Sequence, residues 1–322
     1  MLLPLLLSLC LMTESPSALA AEPPPAPAPV FHEGQIWDVA AGQPIGFEDL
    51  AAKLAGLDVV YLGEEHHNKW HVEAALKVLT ALQARRRRPT LALEMFGWEA
   101  QPALDHYLTD RRRTRQEFLT DVQWEQNWGG AFEDYEPLVD AARRNGWPLL
   151  ALNPPRQLVR LVAKQGLASA LADPAMLRWG VHERTFPDDP AYRDMITAPL
   201  RQCHGGLPEE AYGRMYEASL FRDEGMAGTI AAALRREPGA RPDASTAGAG
   251  PVVSYTGGGH VQYNLPVPKR VQRRSGAVAQ ATIYLTAFEP NRQEELRRLL
   301  AEGVADYLWL TPLSEHGVPR RC

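Results

Sequence analysis

The sequence has little cysteine and lacks the short motifs of several common enzyme classes. Its 322 residues include three cysteines, Cys10, Cys203 and Cys322, and no two of them form a CxxC motif of a redox or zinc site. No GxSxG is present, so the usual nucleophile elbow of an α/β-hydrolase is missing. The glycine-rich stretch Gly257–His260 fits neither a dinucleotide-binding fingerprint nor a P-loop. These absences disfavour thiol redox chemistry, serine hydrolysis and nucleotide binding.

The sequence also has no excess of basic charge. Its 34 Lys and Arg residues are outnumbered by 39 Asp and Glu residues, which gives a formal net charge of -5. The arginine-rich runs at 85–88 and 111–115 are interpreted as solvated helix or loop faces. No basic module with interleaved aromatic residues appears, so we predict that nucleic acid is not a partner.

The N-terminal residues have the pattern of an export signal. Leu2–Met12 is apolar but too short for a transmembrane helix, and Ala18–Ala20 has the small-x-small pattern of a cleavage site. We therefore predict a signal peptide over residues 1–20 and a location in the periplasm or cell envelope. Cys10 lies in an imperfect lipobox, so lipid anchoring is a weaker expectation than secretion. After export, Cys203 and Cys322 could pair, and the sequence leaves that pairing open.

Composition divides the remaining chain into a tether and a folded domain. Residues 21–36 begin with dense proline, which cannot continue a helix or donate to a sheet, and predict an exposed tether. We assign residues 37–322 to one α/β domain with helical insertions at about 97–134 and 156–236. The stretch Glu237–Pro251 is rich in Gly, Ala, Pro and Ser and predicts a surface loop.

Short apolar runs alternate with longer segments of helical period. The runs show little polar alternation, as expected for strands buried on both faces. The alternation predicts a mostly parallel sheet flanked by helices, with the insertions forming a smaller subdomain over the carboxyl ends of the strands. The predicted strands are Asp58–Gly63, Thr90–Phe96, Trp147–Leu152, Val252–Thr256, Ala281–Ala287 and Ala305–Leu310.

Polar residues lie at the ends of four predicted strands, in Gly63–His67, Glu94–Phe96, Asn153–Arg156 and Gly257–His260. Ligands of open α/β sheets bind outside the carboxyl ends of the strands, so the four clusters predict one shared site. Glu64 and His66 are two residues apart and project to the same side of an extended chain, where they can share a metal or a proton.

Two further groups allow more than one interpretation. His67 and His71 are four residues apart and either form a pair on one helix face or are helix-start residues bonded to backbone or water. Tyr212 and Tyr216, with Arg222 nearby, are either core residues or contacts for a flat aromatic ligand with carboxylates.

Taken in order, these segments resemble the ChaN-like haem-binding lipoprotein family, whose superfamily includes the Tiki proteases, TraB-like proteins and erythromycin esterases. The resemblance spans roughly Val59 to Pro312. The segments that carry it are Tyr61–His66 with His71, Ala92–Phe96, Trp124, Trp128, Tyr135–Leu138, Asn153–Arg156, Arg222–Ala227, Gly259–Val261 and Ala305–Tyr307.

The resemblance implies an exported protein that binds haem and takes part in haem and iron acquisition. It implies a homodimer with haem at its interface, and outer-membrane or periplasmic iron-uptake partners. In that picture a tyrosinate of one subunit ligates ferric iron and a histidine of the other meets the propionates. Tyr216 and Tyr263 are our candidates for the iron ligand, and His71, Arg156 and Arg222 are the other predicted haem contacts.

The alternative is a hydrolase, either an esterase or a peptidase, so we leave enzymatic activity open while favouring haem binding. Glu64, His66, Glu94 and His260 would then be the catalytic residues or the ligands of a divalent metal. Glu64 or Glu94 would act as general base or metal ligand, His66 as base or ligand, and His260 as an electrophilic stabiliser.

Overall fold

The structure, a computed structural model, describes residues 28–85, 87–181, 185–203, 205–235 and 249–315. The predicted signal peptide with Cys10, residues 21–27 of the predicted tether, most of the predicted loop at 237–251, and Cys322 lie outside the described residues. Cys203 is in a disulfide bond. Across the described ranges, no helix combines the length and apolar character needed to cross a membrane.

The described residues form one eight-stranded sheet, in the order β2-β1-β8-β7-β3-β6-β4-β5. The strands are β1 Ile36–Asp38, β2 Gln43–Ile45, β3 Val59–Glu64, β4 Arg88–Gly97, β5 Leu149–Asn153, β6 Ala249–Gly257, β7 Gln280–Ala287 and β8 Tyr307–Thr311. Strands β3 to β8 pair in parallel. β1 runs antiparallel to β2 and β8.

Helices cover both faces of this sheet, which confirms the predicted fold class. The α-helices are α1 Phe47–Leu54, α2 Lys69–Ala84, α3 Gln101–Thr109, α4 Arg115–Asp121, α5 Trp124–Asn127, α6 Glu136–Asn145, α7 Arg156–Gln165, α8 Leu167–Leu171, α9 Pro174–Arg178, α10 Pro190–Cys203, α11 Glu209–Leu234, α12 Val267–Ser275 and α13 Gln293–Ala301.

Alternate residues of the central strand β3 contact the two helical layers. Val60 and Leu62 pack in the cluster that contains α1, α2, α3 and α6. Val59 and Tyr61 pack on the opposite face with α11 and α12. Successive side chains of a strand point to opposite faces, so an unbroken apolar run is what a sheet covered on both sides requires.

Two short strands at one side of the sheet, β1 and the edge strand β2, are not among the predicted ones. A compact unit begins at Phe31, ahead of the predicted domain boundary at residue 37. Phe31 is fully buried, and the Gly34 amide donates to the Leu310 carbonyl at 2.8 Å. Strands of three residues show too little alternation to be recognised from sequence.

Both stretches predicted as insertions contain helices. The first holds α3, α4 and α5, and its aromatic residues Phe118, Trp124 and Phe132 are buried against Phe96 of β4 or against one another. The second holds α7 to α11. Its longest helix, α11, packs against β5, β6 and α12, and its residues Arg222 and Asp223 contact Glu94 and His260 at the strand ends.

Candidate functional site

Strand ends and one helix bring the predicted polar residues together. Glu64 is the last residue of β3 and pairs in register with Gly257, the last residue of β6. Glu94 lies near the end of β4. It follows Leu93, which pairs in register with Tyr255 of β6. The convergence predicted from the strand ends therefore occurs in the structure.

Glu94 is the centre of a buried ion-pair network. Its Oε2 accepts a hydrogen bond from the Gly257 amide at 2.7 Å, and its Oε1 is ion-paired with Arg222 of α11. The same oxygen lies 3.3 Å from Nε2 of His260. Burial would raise the pKa of Glu94, but the positive charges of His260 and Arg222 outweigh it and hold the pKa well below its usual range. Glu94 is therefore a carboxylate.

His260 follows β6 in a short 3-10 turn, Gly258–His260, and lies between two carboxylates. Its Nδ1 is 2.5 Å from Oδ1 of Asp223, while its Nε2 faces Glu94. Burial would lower the pKa of His260, but Glu94 and Asp223 overcome that effect and raise the pKa to about 9. His260 is therefore positively charged at neutral pH.

Glu64 and His66 form a second carboxylate-imidazole pair. Nδ1 of His66 lies 2.5 Å from Oε1 of the buried Glu64, and Tyr255 donates to Oε2 at 3.0 Å. Burial raises the pKa of Glu64, although His66 opposes the shift. For His66, burial lowers the pKa, but the hydrogen bond that the ring donates to Glu64 and the charge of Glu94 raise it overall. The His66 side chain is 44% exposed, so this pair reaches the surface.

The first insertion packs around His66 and the residue that follows it. The Trp128 ring meets the His66 ring edge-on, with centroids 5.1 Å apart. His67 has a φ of 63°, and its Nδ1 lies 2.6 Å from Oδ2 of Asp134. The His67 amide donates to the Tyr135 hydroxyl at 3.1 Å. His67 therefore joins the strand-end loop to the insertion. This arrangement fits a structural role for His67 better than a pair with His71 on one helix face.

Two of the predicted haem contacts, His71 and Tyr216, have buried side chains in the structure. His71 is fully buried, its Nδ1 accepts from the Glu65 amide at 2.9 Å, and its Nε2 is 3.0 Å from the Thr311 hydroxyl. Burial lowers the pKa of His71 to about 3, which leaves the ring neutral. Tyr216 is also buried, donates to Asp188 at 2.7 Å, and has a pKa raised to about 12, mainly by burial.

The other three predicted haem contacts are reachable to different degrees. Arg156 is exposed at the start of α7 and donates to the Gln126 carbonyl at 2.8 Å. Arg222 is partly exposed and ion-paired with Glu94. Tyr263 is half-buried in a 3-10 turn, Gln262–Asn264, and donates to Oε2 of Glu302 at 2.9 Å.

The predicted divalent metal is not supported by the donor set. Among the described residues, no group of three or more His, Cys, Asp or Glu side chains is arranged to hold a metal ion. The oxygens of Glu64 and Glu94 already accept from Tyr255 and the Gly257 amide or face histidines. The Arg222 guanidinium beside Glu94 further disfavours a second cation there.

Sequence reasoning passed over three residues of this site. Asp223 binds His260, Tyr192 of α10 donates to Asp223, and Tyr255 donates to Glu64. Asp223 lies inside the family segment Arg222–Ala227, which is the one signal that points to it. Tyr192 lies in a helix and Tyr255 in a buried strand. The contacts of their hydroxyl groups cannot be predicted from the sequence pattern.

Comparison with known protein families shows which family this chain belongs to. Residues 50–271 match the family described as haem-binding uptake, Tiki superfamily, ChaN. The chain belongs to this family, which confirms the resemblance predicted from its motifs.

Individual relatives show the fold and the extent of the match. The structure is similar to one described as cofacial heme binding to ChaN of Campylobacter jejuni, with a TM-score of 0.64 and 18% identity over 88% of this chain and 98% of that one. An erythromycin esterase structure is less similar, with a TM-score of 0.43 and 14% identity over 79% of this chain and 76% of that one.

A curated plant protein is also similar in sequence. Protein RETICULATA-RELATED 5, chloroplastic, of Arabidopsis thaliana is 27% identical over 281 residues, which are 80% of this chain and 34% of that protein. The chain thus spans about a third of the length of this curated relative.

Proposed function

We propose that this chain is an exported haem-binding protein that takes part in haem and iron acquisition. The observation that carries the proposal is the match to the haem-binding uptake family across residues 50–271. The fold shared with ChaN of Campylobacter jejuni, whose structure is described as binding heme, supports it. Haem would be the cargo of this protein and would bring a ferric iron that accepts an axial ligand.

The donors at the strand-end site fit such a cargo. His66 offers a partly exposed imidazole, and Trp128 places an indole beside it. The His66 ring packs closely against Gly257, because a Cβ at this position would come within 3.0 Å of Cε1 and 3.2 Å of Nε2 of His66. Arg156 is an exposed guanidinium suited to a propionate, since arginine binds carboxylates through paired donors.

We further propose a homodimer that binds haem between its subunits and exchanges it with outer-membrane or periplasmic iron-uptake partners. The test is gel filtration with light scattering on the mature chain, with and without haemin. We expect Soret absorbance to elute with a dimer-sized peak. Haem that separates from the protein on the column would contradict the proposal, and a haem-loaded monomer would contradict the dimer alone.

A second function, hydrolysis without a metal, is favoured by the pairing of His66 with Glu64. The Glu64 carboxylate orients the imidazole, which could then take a proton from water, while the cations His260 and Arg222 could stabilise developing negative charge. An esterase and peptidase screen tests this. Activity that falls in Glu64→Gln and His66→Ala supports hydrolysis at this pair. Activity that is unchanged in both variants contradicts it.

A further inference from the structure

Two helices of the second insertion, α10 and α11, line a cleft that is separate from the strand-end site. The cleft has a volume of about 260 Å³, and every residue that lines it belongs to one of these two helices. It is smaller than the pockets that usually hold drug-sized ligands, so it suits a ligand of amino-acid size. Its lining carries charges of both signs, which indicates a polar ligand.

Thr197 of α10 brings a buried hydroxyl to this cleft. The residue is only 7% exposed, and its side chain forms no hydrogen bond with any residue that the structure describes. A buried hydroxyl without a partner is costly, so a molecule in the cleft that bonds to it is stabilised there. Residues four apart share a helix face, so Arg193 and Arg201 flank Thr197 by one turn on either side.

The two flanking arginines differ in the donors that they leave free. Arg201 binds both carboxylate oxygens of Glu209. Arg193 stacks on the ring of Tyr216, 4.1 Å from its centroid, and donates from Nη2 to Asp188 at 2.8 Å. Within the described ranges, Nε and Nη1 of Arg193 have no hydrogen-bond partner. A guanidinium held in this way offers its remaining donors to a carboxylate.

Asp194 places a carboxylate next to those donors. It is exposed, lines the same cleft, and forms no ion pair with a residue in the described part of the chain. The charges of Arg193 and Arg201 are balanced by those of Asp188 and Glu209, so Asp194 carries the uncompensated charge. A ligand with both an ammonium and a carboxylate group matches this arrangement.

We propose that the cleft between α10 and α11 binds a small zwitterion of the amino-acid class. The ammonium group of the ligand meets Asp194, its carboxylate meets Arg193, and the Thr197 hydroxyl supplies a third hydrogen bond. Gly213 of α11 leaves room for the ligand's side chain, because nothing lies within 4 Å of a Cβ built at this position. Such a site is independent of the proposed haem binding.

Isothermal titration calorimetry of the mature chain with L-alanine, L-leucine and L-phenylalanine tests the site. We expect saturable, one-to-one binding of at least one of these amino acids. Acetate and methylammonium each carry only one of the two charges and should not bind saturably. Asp194→Asn should weaken amino-acid binding at least about tenfold, because a hydrogen bond between charged groups is lost. Asp140→Asn, on α6 and outside the cleft, is the matched control and should bind like the wild type.

Gly213→Leu tests the position of the ligand without removing a polar group. Leucine is a good helix former and its side chain would fill the open space, so circular dichroism should show a retained fold while amino-acid binding is lost. Three results would overturn the proposal: no saturable heat with any of the three amino acids, acetate or methylammonium binding as tightly as they do, or unchanged binding in both Asp194→Asn and Gly213→Leu.

Discussion

Asp223 of α11 and His260 at the end of β6 are joined by a contact of 2.5 Å between Oδ1 and Nδ1. The other oxygen of Asp223 accepts a hydrogen bond from Tyr192 of α10. A single buried carboxylate therefore connects the helices of the second insertion to the strand-end site. Because His260 also contacts Glu94, a change at either acid is expected to alter the charge of the whole cluster.

The raised pKa of His260 predicts a loss of stability in alkali. Its folded pKa of about 9 lies above the ordinary 6.5, so its stabilisation is fully present below pH 6.5 and is lost as the pH rises through 9. We expect the stability difference between wild type and His260→Gln to shrink by on the order of 3 kcal/mol over this range. Urea unfolding at several pH values measures it.

The control for this experiment is His106→Gln. His106 is half-exposed, with its Nε2 3.7 Å from Asp110, so its replacement should leave the alkaline slope of the wild type unchanged. A His260→Gln protein whose stability follows the wild-type pH profile would show that His260 is not charged by its two acids.

Removing the charge of Glu94 should destabilise the fold strongly. Glu94→Gln leaves Arg222 and His260 without their shared acid, and breaking a buried pair costs about 3 to 5 kcal/mol. Since the folded pKa is depressed, the stabilisation is present above pH 4.5 and lost as the pH falls towards the folded value. Urea unfolding at pH 7 gives the comparison.

Glu48→Gln is the matched surface change. Glu48 is exposed and pairs with Arg85 at 2.7 Å, so its loss should cost less than about 1 kcal/mol. Equal effects of the two substitutions would contradict the central place of Glu94 in the buried network.

His71 should act on acid stability and not on haem. Its folded pKa of about 3 lies below the ordinary 6.5, so between these pH values the unfolded chain binds a proton at His71 and the folded chain does not. The wild type should therefore lose about 1.4 kcal/mol per pH unit between pH 6 and pH 4, relative to His71→Gln. Acid unfolding curves measure this, and a change in haem stoichiometry in His71→Gln would contradict its structural role.

Two glycines of α11 predict stability changes of opposite sign. At Gly225 a Cβ would lie 2.2 Å from Cγ of Pro154, so Gly225→Ala should destabilise by about 1 to 3 kcal/mol. At Gly213 nothing lies within 4 Å of the added carbon, and Ala should stabilise the helix by roughly 0.5 to 1 kcal/mol. Thermal unfolding of both variants checks this, and a stabilised Gly225→Ala protein would refute the close packing of α11 on Pro154.

The central sheet could be predicted because its strands are apolar on both faces. β3 is buried along its whole length, and its sequence shows that directly. β1 and β2 could not be predicted, because three residues give no period and their pairing with β8 depends on chain segments far apart in sequence.

The strand-end site was predictable in its position and less so in its contacts. Glu64 and Glu94 stand at the ends of apolar runs, where a carboxylate needs a partner. Asp223 comes from a helix, so only the fold brings it to His260. The burial of His71 and Tyr216 likewise depends on the neighbouring elements, so the sequence alone could not show that their side chains are inaccessible to a ligand.

The most direct test of haem binding is a difference titration of the mature wild-type chain with haemin, at a protein concentration well above the dissociation constant. The account predicts a Soret difference signal that rises linearly and stops sharply at a stoichiometric ratio of haem to chain. A signal that keeps rising without a break would contradict the claim that this chain has a specific haem site.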